Sequence, residues 1–448
     1  MPETFPTVED IRRLELIKKY SQLVDNEQYA TFGLNELIKK EMPTLETIYV
    51  SHAIPDKICD FYGDFVQGDV LDMVIDSDGD EAEKQKVTDI VSSNDLKNSV
   101  YDYAYGQTAY GYVVLLGRIE DSKYIIDEVP QDQYFPQRDG SIILASYIKK
   151  PDAKTDKDLW LYKQQYKQGD TGNVVITRSL WEVDPSGYQL AQISLSAYDP
   201  DLLEEEKLDI EDIPIVRIDN SKKRKKFGVS DLHFITPQLA EINEKATQMS
   251  IQFLKNLSAK MTVPPELIDD AGNLKKFEAI GLENNDMVEP KYVINENPLL
   301  AECFTYIEKE LNYISFITSV PLFELLSSSV IPERVGALKL RLFQAIMKTN
   351  SKRSEIMKGV QYIIQCGLKL QGIQDPSNID IEFADVLPVD EAELVTVEES
   401  KLRNGLTSKR SAIKRLENYD DERVDEELRA IDNENKIEGI NTNLPPQI

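Results

Sequence analysis

Histidine is almost missing from this 448-residue chain. The two present, His52 and His233, lie far apart without ligand spacing, so neither suits a metal centre or a catalytic base, and both read as structural. Cysteine is as scarce: Cys59, Cys303 and Cys366 show no CxxC or metal spacing, which suits a reducing cytoplasm. No GxxxxGK[ST] phosphate loop occurs, so the chain has no Walker-type site for driving ATP hydrolysis, and GxSxG and HExxH are missing too. No apolar run approaches the ~18 residues of a membrane span. Met1 to Asp10 is polar and acidic without a basic or apolar leader region, and we expect a chain neither secreted nor embedded. Basic charge is in deficit, with 51 Lys and Arg against 79 Asp and Glu, a net −28. Such a surface repels nucleic acid in bulk, so any DNA contact has to be local or non-adhesive.

What the chain does have is helical periodicity. Hydrophobic residues make up 41% of it, enough for the cores of about two to four domains. Ile235, Leu239, Ile242, Ala246, Met249, Phe253 and Leu257 recur at three- and four-residue spacing, one apolar stripe on a helix. Val263, Pro264 and Pro265 stop it, because proline lacks the amide hydrogen and clashes with the preceding turn. An insert runs to Pro298. Leu299, Leu300, Phe304, Ile307, Leu311, Ile314 and Ile317 then repeat the period, closed by Pro321. A Ser-rich segment follows, before Pro332 and Glu333 open a long helix to Leu370 with Leu338, Leu342, Ala345, Ile346, Ile356, Val360, Ile363 and Ile364 on its apolar face. Gly359 and Gly367 are its expected weak points.

Upstream the chain changes character. Thr7 and Asp10 form a capping box for a first helix containing Ile11, Leu14 and Ile17. Residues 45–75 mix short apolar runs with Gly63 and Gly68, and 87–104 reads as a helix. Residues 113–116, 124–126, 142–148, 159–166, 174–181 and 188–193 are β-branched or aromatic runs punctuated by Gly117, Gly140, Gly172 and Gly187, an antiparallel sheet domain. Ile379 to Phe383 is a further strand. Asn404 and Gly405 end one helix, Thr407 is expected to cap the next, and Val424, Leu428 and Ile431 form the narrow stripe of a last, acidic one. The tail from Lys436 is expected to be disordered.

Asp76, Asp78 and Asp80 with Gly79 hint at a calcium loop, but Glu81 and Val87 stand where an EF-hand needs Gly and Glu, and a solvated acidic loop is the reading adopted. The run Lys222, Lys223, Arg224, Lys225 and Lys226 stands out in so acidic a protein. It reads as a solvated loop or as a contact for phosphates or an acidic partner.

The order of these parts resembles the portal proteins of tailed bacteriophages, of the type found in siphophages of Gram-positive hosts. The residues that carry it are Tyr105 to Tyr112, Val129-Pro130, Tyr134-Phe135-Pro136 and Asp139-Gly140 at the opening of a wing, then Phe227 to Leu232 ahead of Pro237 to Asn243 at the entry to a stem helix. Phe383 to Leu387, Pro388, Asp390 and Asn404 to Ser408 resemble the return through the wing to a helical crown.

The resemblance implies an α+β portal fold: N-terminal helices and a β-rich wing over 1–226, stem helices over 227–260 and 299–318, and a small α/β clip over 261–298. It further implies a channel loop over 319–333, a long helix returning through the wing over 334–388, a crown over 389–435 and a tail over 436–448. It implies no catalysis, metal or cofactor. The protein would form a ring, usually of twelve subunits, at one capsid vertex of a virion assembled in the host cytoplasm, a conduit for DNA packaging and ejection. Its partners would be double-stranded DNA, the terminase large subunit, a head-tail adaptor, and major capsid and scaffold proteins, with no membrane. Leu325, Leu326, Ser327, Ser328, Ser329 and Val330 would contact the duplex sterically, and Glu266, Asp269 and Asp270 of the clip would present charge to the docked partner. Two other classes remain open: another head-tail connector or minor capsid component, and a metal-dependent nucleic-acid hydrolase using Asp76, Asp78 and Asp80.

Overall fold

The computed structural model describes residues 5–33, 49–68, 70, 73–151, 153, 155, 158–169, 172–184, 187–223, 225–256, 260–262, 291–293, 299–322, 342–383, 391–417 and 423–431. The chain divides into two compact units, one of residues 1–330 and 342–384, the other of 331–341 and 385–448.

The first unit opens with α1 (Val8–Val24), whose capping box forms as expected: Thr7 Oγ1 accepts from the Asp10 amide at 3.2 Å while the Asp10 carboxylate accepts from the Thr7 amide at 3.1 Å. After α2 (Gln28–Phe32) comes α3 (Ile54–Gln67), which the sequence did not announce. Pro55 sits in its first turn, Gly68 ends it, and Ile58, Tyr62 and Val66 at four-residue spacing are fully buried. Of the acidic stretch at 76–83, expected as a solvated loop, residues 78–80 form a short loop and Asp76, Asp78 and Asp80 are exposed, while its two ends are strand and helix start. β1 (Val74–Ser77) pairs with β13 (Ile379–Glu382), and Asp80 N-caps α4 (Glu81–Ser93) by accepting from the Glu83 amide. Glu83 is buried, held by Ser77 Oγ at 2.7 Å and the Ser377 amide at 2.9 Å. The expected helix at 87–104 is likewise two, because Asp95 takes φ 49° and breaks α4 from α5 (Leu96–Tyr110).

The β-rich region is antiparallel as expected, but it forms two sheets. β2 (Tyr112–Glu120) lies between β10 (Ile215–Asp219) and β3 (Lys123–Val129). β4 (Tyr134–Pro136), β5 (Ile142–Lys149), β6 (Leu159–Gln168), β7 (Val174–Val183) and β8 (Gln189–Ile193) follow in order, with β9 (Glu205–Leu208) added to β7.

α8 (Phe343–Leu370) packs on the smaller sheet, and its two glycines are the means. A Cβ on Gly359 would collide with Ile218 of β10, and one on Gly367 would stand 2.5 Å from the Tyr124 ring of β3. Tyr124 donates to the Ile363 carbonyl at 2.7 Å, and Leu115, Ile218, Ile356, Val360 and Ile364 fill the core around it. The expected weak points are close-packing points.

α6 (Thr236–Asn256) and α7 (Leu299–Thr318) share a second core, Leu239, Ile242 and Ile314 with Tyr62 and Ala345. Between them β11 (Lys260–Thr262) pairs antiparallel with β12 (Lys291–Val293), so the ends of the insert are closed together at its base.

In the second unit, α9 (Glu391–Arg403) ends at Gly405, φ 67°, where the Leu406 amide returns to the Lys401 carbonyl at 2.9 Å, a Schellman-type cap. Ser408, not Thr407, caps α10 (Lys409–Glu417), since its Oγ accepts from the Ser411 amide at 3.1 Å and the helix begins one residue later than expected. A last helix spans 423–431. Arg415 bridges to Glu398 at 2.8 Å and Arg410 to Asp425 at 3.3 Å, tying the three helices together.

Candidate functional site

The root of the α6–α7 pair is built from charge buried under the helices. α8 carries Lys348 and Lys352 at i and i+4, so both point to one face. The turn that leads into α6 brings Asp231 against them, at 3.0 Å from Lys348 Nζ and 3.2 Å from Lys352 Nζ. Lys352, only 2% exposed, also reaches Asn220 Oδ1 at 3.2 Å. Tyr62 of α3 lies under both ammonium groups, 4.6 and 5.1 Å from its ring centre, a paired cation–π contact.

The same residues hold the end of α7. Its last carbonyl, that of Thr318, lacks a helical partner. It accepts instead from Tyr62 Oη at 2.6 Å and Lys348 Nζ at 3.1 Å. Burial acts to raise the Asp231 carboxyl, but the attraction of Lys348 and Lys352 outweighs it and holds the group below its ordinary value. Burial pushes the Lys352 ammonium down to about 8, with Asp231 pulling the other way. Both groups are therefore charged at neutral pH. α3, the turn at 231, α8 and the end of α7 meet in this one network.

Above that root the helix pair is sparsely covered. Of the twenty residues of α7, Phe304, Tyr313 and Phe316 are 53, 50 and 71% exposed, and on α8 Phe343 and Met347 are exposed as well.

Residues 336–439 match the family model described as phage portal protein, SPP1 Gp6-like. The matched stretch takes in α8, β13 and the helices of the second unit. No curated protein matches the chain. Among solved structures, a chain in the neck of an empty gene transfer agent particle and one in the virion of a native gene transfer agent particle are similar. Each is 9% identical with a TM-score of 0.46, over 86% of this chain and 94% of that chain.

Leu325, Leu326, Ser327, Ser328, Ser329 and Val330 lie outside the described residues, as do Glu266, Asp269, Asp270 and Arg224. Lys222, Lys223, Lys225 and Lys226 are described and exposed, on a loop between β10 and α6. Of the aspartates weighed for a metal-dependent hydrolase, Asp76 accepts from the Ser77 amide at 2.8 Å and Asp80 is spent on its cap. Among the described residues no group of three His, Cys, Asp or Glu is placed to hold a metal ion. His52 and His233 take part in side-chain hydrogen bonds, His52 with Asn243 at 3.2 Å and His233 with Tyr20 at 2.9 Å.

Sequence reasoning missed Tyr62, Asp231, Lys348 and Lys352. The available signal was the two lysines in the apolar stripe of the long helix, between Ala345 and Ile356, where a charge survives only with a buried partner.

Proposed function

We propose that the chain is a phage portal protein, a ring at one capsid vertex through which DNA is packaged and ejected. The observation that carries this reading is the match of residues 336–439 to the portal family model. The layout supports it. α6 and α7 are the stem, and the insert between them, closed at its base by the β11–β12 pairing, is the clip that docks terminase and then the head-tail adaptor. Residues 319–333 are the channel loop, with Leu325 to Val330 against the duplex, and 389–435 the crown. The exposed aromatic residues of α7 are covered by neighbouring subunits in the ring.

An acidic conduit serves sliding, since a wall that captured phosphates would stall the duplex. The chain supplies the conduit and a separate terminase supplies the ATP-driven work. Electron microscopy of the purified protein tests the reading: a symmetric ring, of about twelve subunits by the family resemblance, with an axial channel is expected. A protein that stays a compact monomer at high concentration is not a portal.

A further inference from the structure

We propose that the loop at 222–226 and helix α1 together form a nucleic-acid surface that takes the backbone phosphates of a duplex, separate from the channel loop. The portal reading does not depend on it, nor it on the ring.

The loop is held at its neck rather than loosely tethered. Asn220 donates from its amide to the Gly111 carbonyl at 2.8 Å and from Nδ2 to the Val229 carbonyl at 2.9 Å. The Val229 amide returns to the Ser221 carbonyl at 3.0 Å and the Gly228 amide to Asp219 Oδ1 at 3.0 Å. A tight turn from Lys222 to Lys225, closed at 2.7 Å, sets the lysines at the tip. Lys223 lies 4.1 Å from the centre of the Phe234 ring.

α1 faces this loop across a depression of about 250 Å³ lined by Arg12, Arg13, Lys225, Lys226 and His233, with Glu9 the one carboxylate at its rim. The two cationic segments, some two hundred positions apart in sequence, thus share one surface. The His233 imidazole registers them. Burial, then Lys225, Lys19 and Lys223 in that order, hold it below its ordinary value, so these three ammonium groups lie within electrostatic reach of one ring. Lys222 is paired with Asp219 at 3.1 Å, and Arg13 is taken up by the Gln131 and Tyr134 carbonyls. Arg12, Lys19, Lys223, Lys225 and Lys226 form no salt bridge among the described residues.

Five cations with no salt bridge among the described residues, in a chain of net charge −28, mark where a polyanion can approach. Dispersed lysines are point charges suited to phosphates repeated along a backbone, not to planar bidentate recognition. A protein partner needs a desolvated apolar centre with aromatic anchors. The depression is also lined by Ile17, Tyr20, Tyr110, Tyr112 and Phe227, but these are buried or half-buried in the fold; the large apolar side chains exposed beside it are Leu16 and Phe234, and Phe234 is already under Lys223.

The test is fluorescence anisotropy of a labelled random-sequence duplex with the full-length protein across a salt series. Wild type is expected to bind with log K falling linearly in log salt. K223E/K225E/K226E is expected to weaken binding about tenfold or more at low salt and to flatten the slope by about 0.9 for each phosphate no longer neutralised. R12E/K19E, on the helix side, has to act in the same direction if the surface is one. Unchanged thermal melts and unchanged particles by electron microscopy separate this result from loss of fold or of the ring. The proposal is overturned if wild type does not bind the duplex at low salt, or if either variant keeps the wild-type affinity and slope. It is also overturned if a polyglutamate peptide binds wild type more tightly than the duplex does, which would mark the surface as a docking site for an acidic protein.

Discussion

At the scale of single residues, Asp231 matters most, because two buried or half-buried lysines depend on it. Replacing it with asparagine removes the counter-ion that holds the Lys352 ammonium up against burial, and breaking a buried pair from one side costs on the order of 3 kcal/mol. Urea titration of Asp231→Asn should show that loss at pH 7. The pH dependence follows from the lowered carboxyl. Its stabilisation is fully present above the unfolded value of about 4 and is lost as pH falls through the lower folded value. Wild type and variant should therefore converge in stability on acidification, and a gap that stays constant from pH 7 down to acid unfolding would contradict the assignment.

Gly359 and Gly367 give a second test. In an open helix, Gly→Ala gains about 1 kcal/mol. Here the added methyl meets Ile218 or the Tyr124 ring, and overpacking costs about 1–3 kcal/mol. Both alanine variants should melt below wild type; a rise in Tm would mean that the helix does not press on the sheet there.

At the scale of elements, the β11–β12 pairing makes the insert separable. Its ends are matched residue to residue, Lys260 with Val293, Met261 with Tyr292 and Thr262 with Lys291, so a tight two-residue turn can replace 263–290 without moving α6 or α7. The shortened protein is expected to form rings by electron microscopy and to lose terminase in a pull-down. Retained terminase binding would place the docking surface elsewhere.

Elements also show what was legible in the sequence. α7 and the strands β5 to β8 were readable because three-, four- or two-residue periodicity is local and strong. α3 was not, since Cys59, Gly63 and the polar residues among its apolar ones blur the stripe that Ile58, Tyr62 and Val66 form once packed. The acidic run at 76–83 misled for a different reason. Asp80 is indeed exposed, but Glu83 looks solvated only until β13 and Ser377, some three hundred positions later, arrive to pair with β1 and bond it. The buried charge network at the root of α6 and α7 was invisible on the same ground: Asp231 and Lys352 are distant in sequence, and only the fold decides that they meet.

At the scale of the whole molecule, the exposed aromatic residues of α7 make the ring testable without reference to DNA. Replacing Phe304 and Phe316 with serine removes large apolar side chains that the single chain leaves open, at 53 and 71% exposure. Each contributes little to the fold of one subunit, while buried aromatic anchors dominate interfaces at about 2 kcal/mol or more apiece. The double variant should keep the wild-type melt as a monomer and yield few rings by mass photometry. Undiminished assembly would put the subunit contact on another face.

The Thr318 carbonyl, gripped by Tyr62 and Lys348, has a mechanical meaning for such an assembly. It fixes the point at which α7 hands over to the chain beyond Leu322, and so acts as a fulcrum. Through Tyr62 that point is joined to α3, and through Lys348 and Asp231 to α8 and the foot of α6.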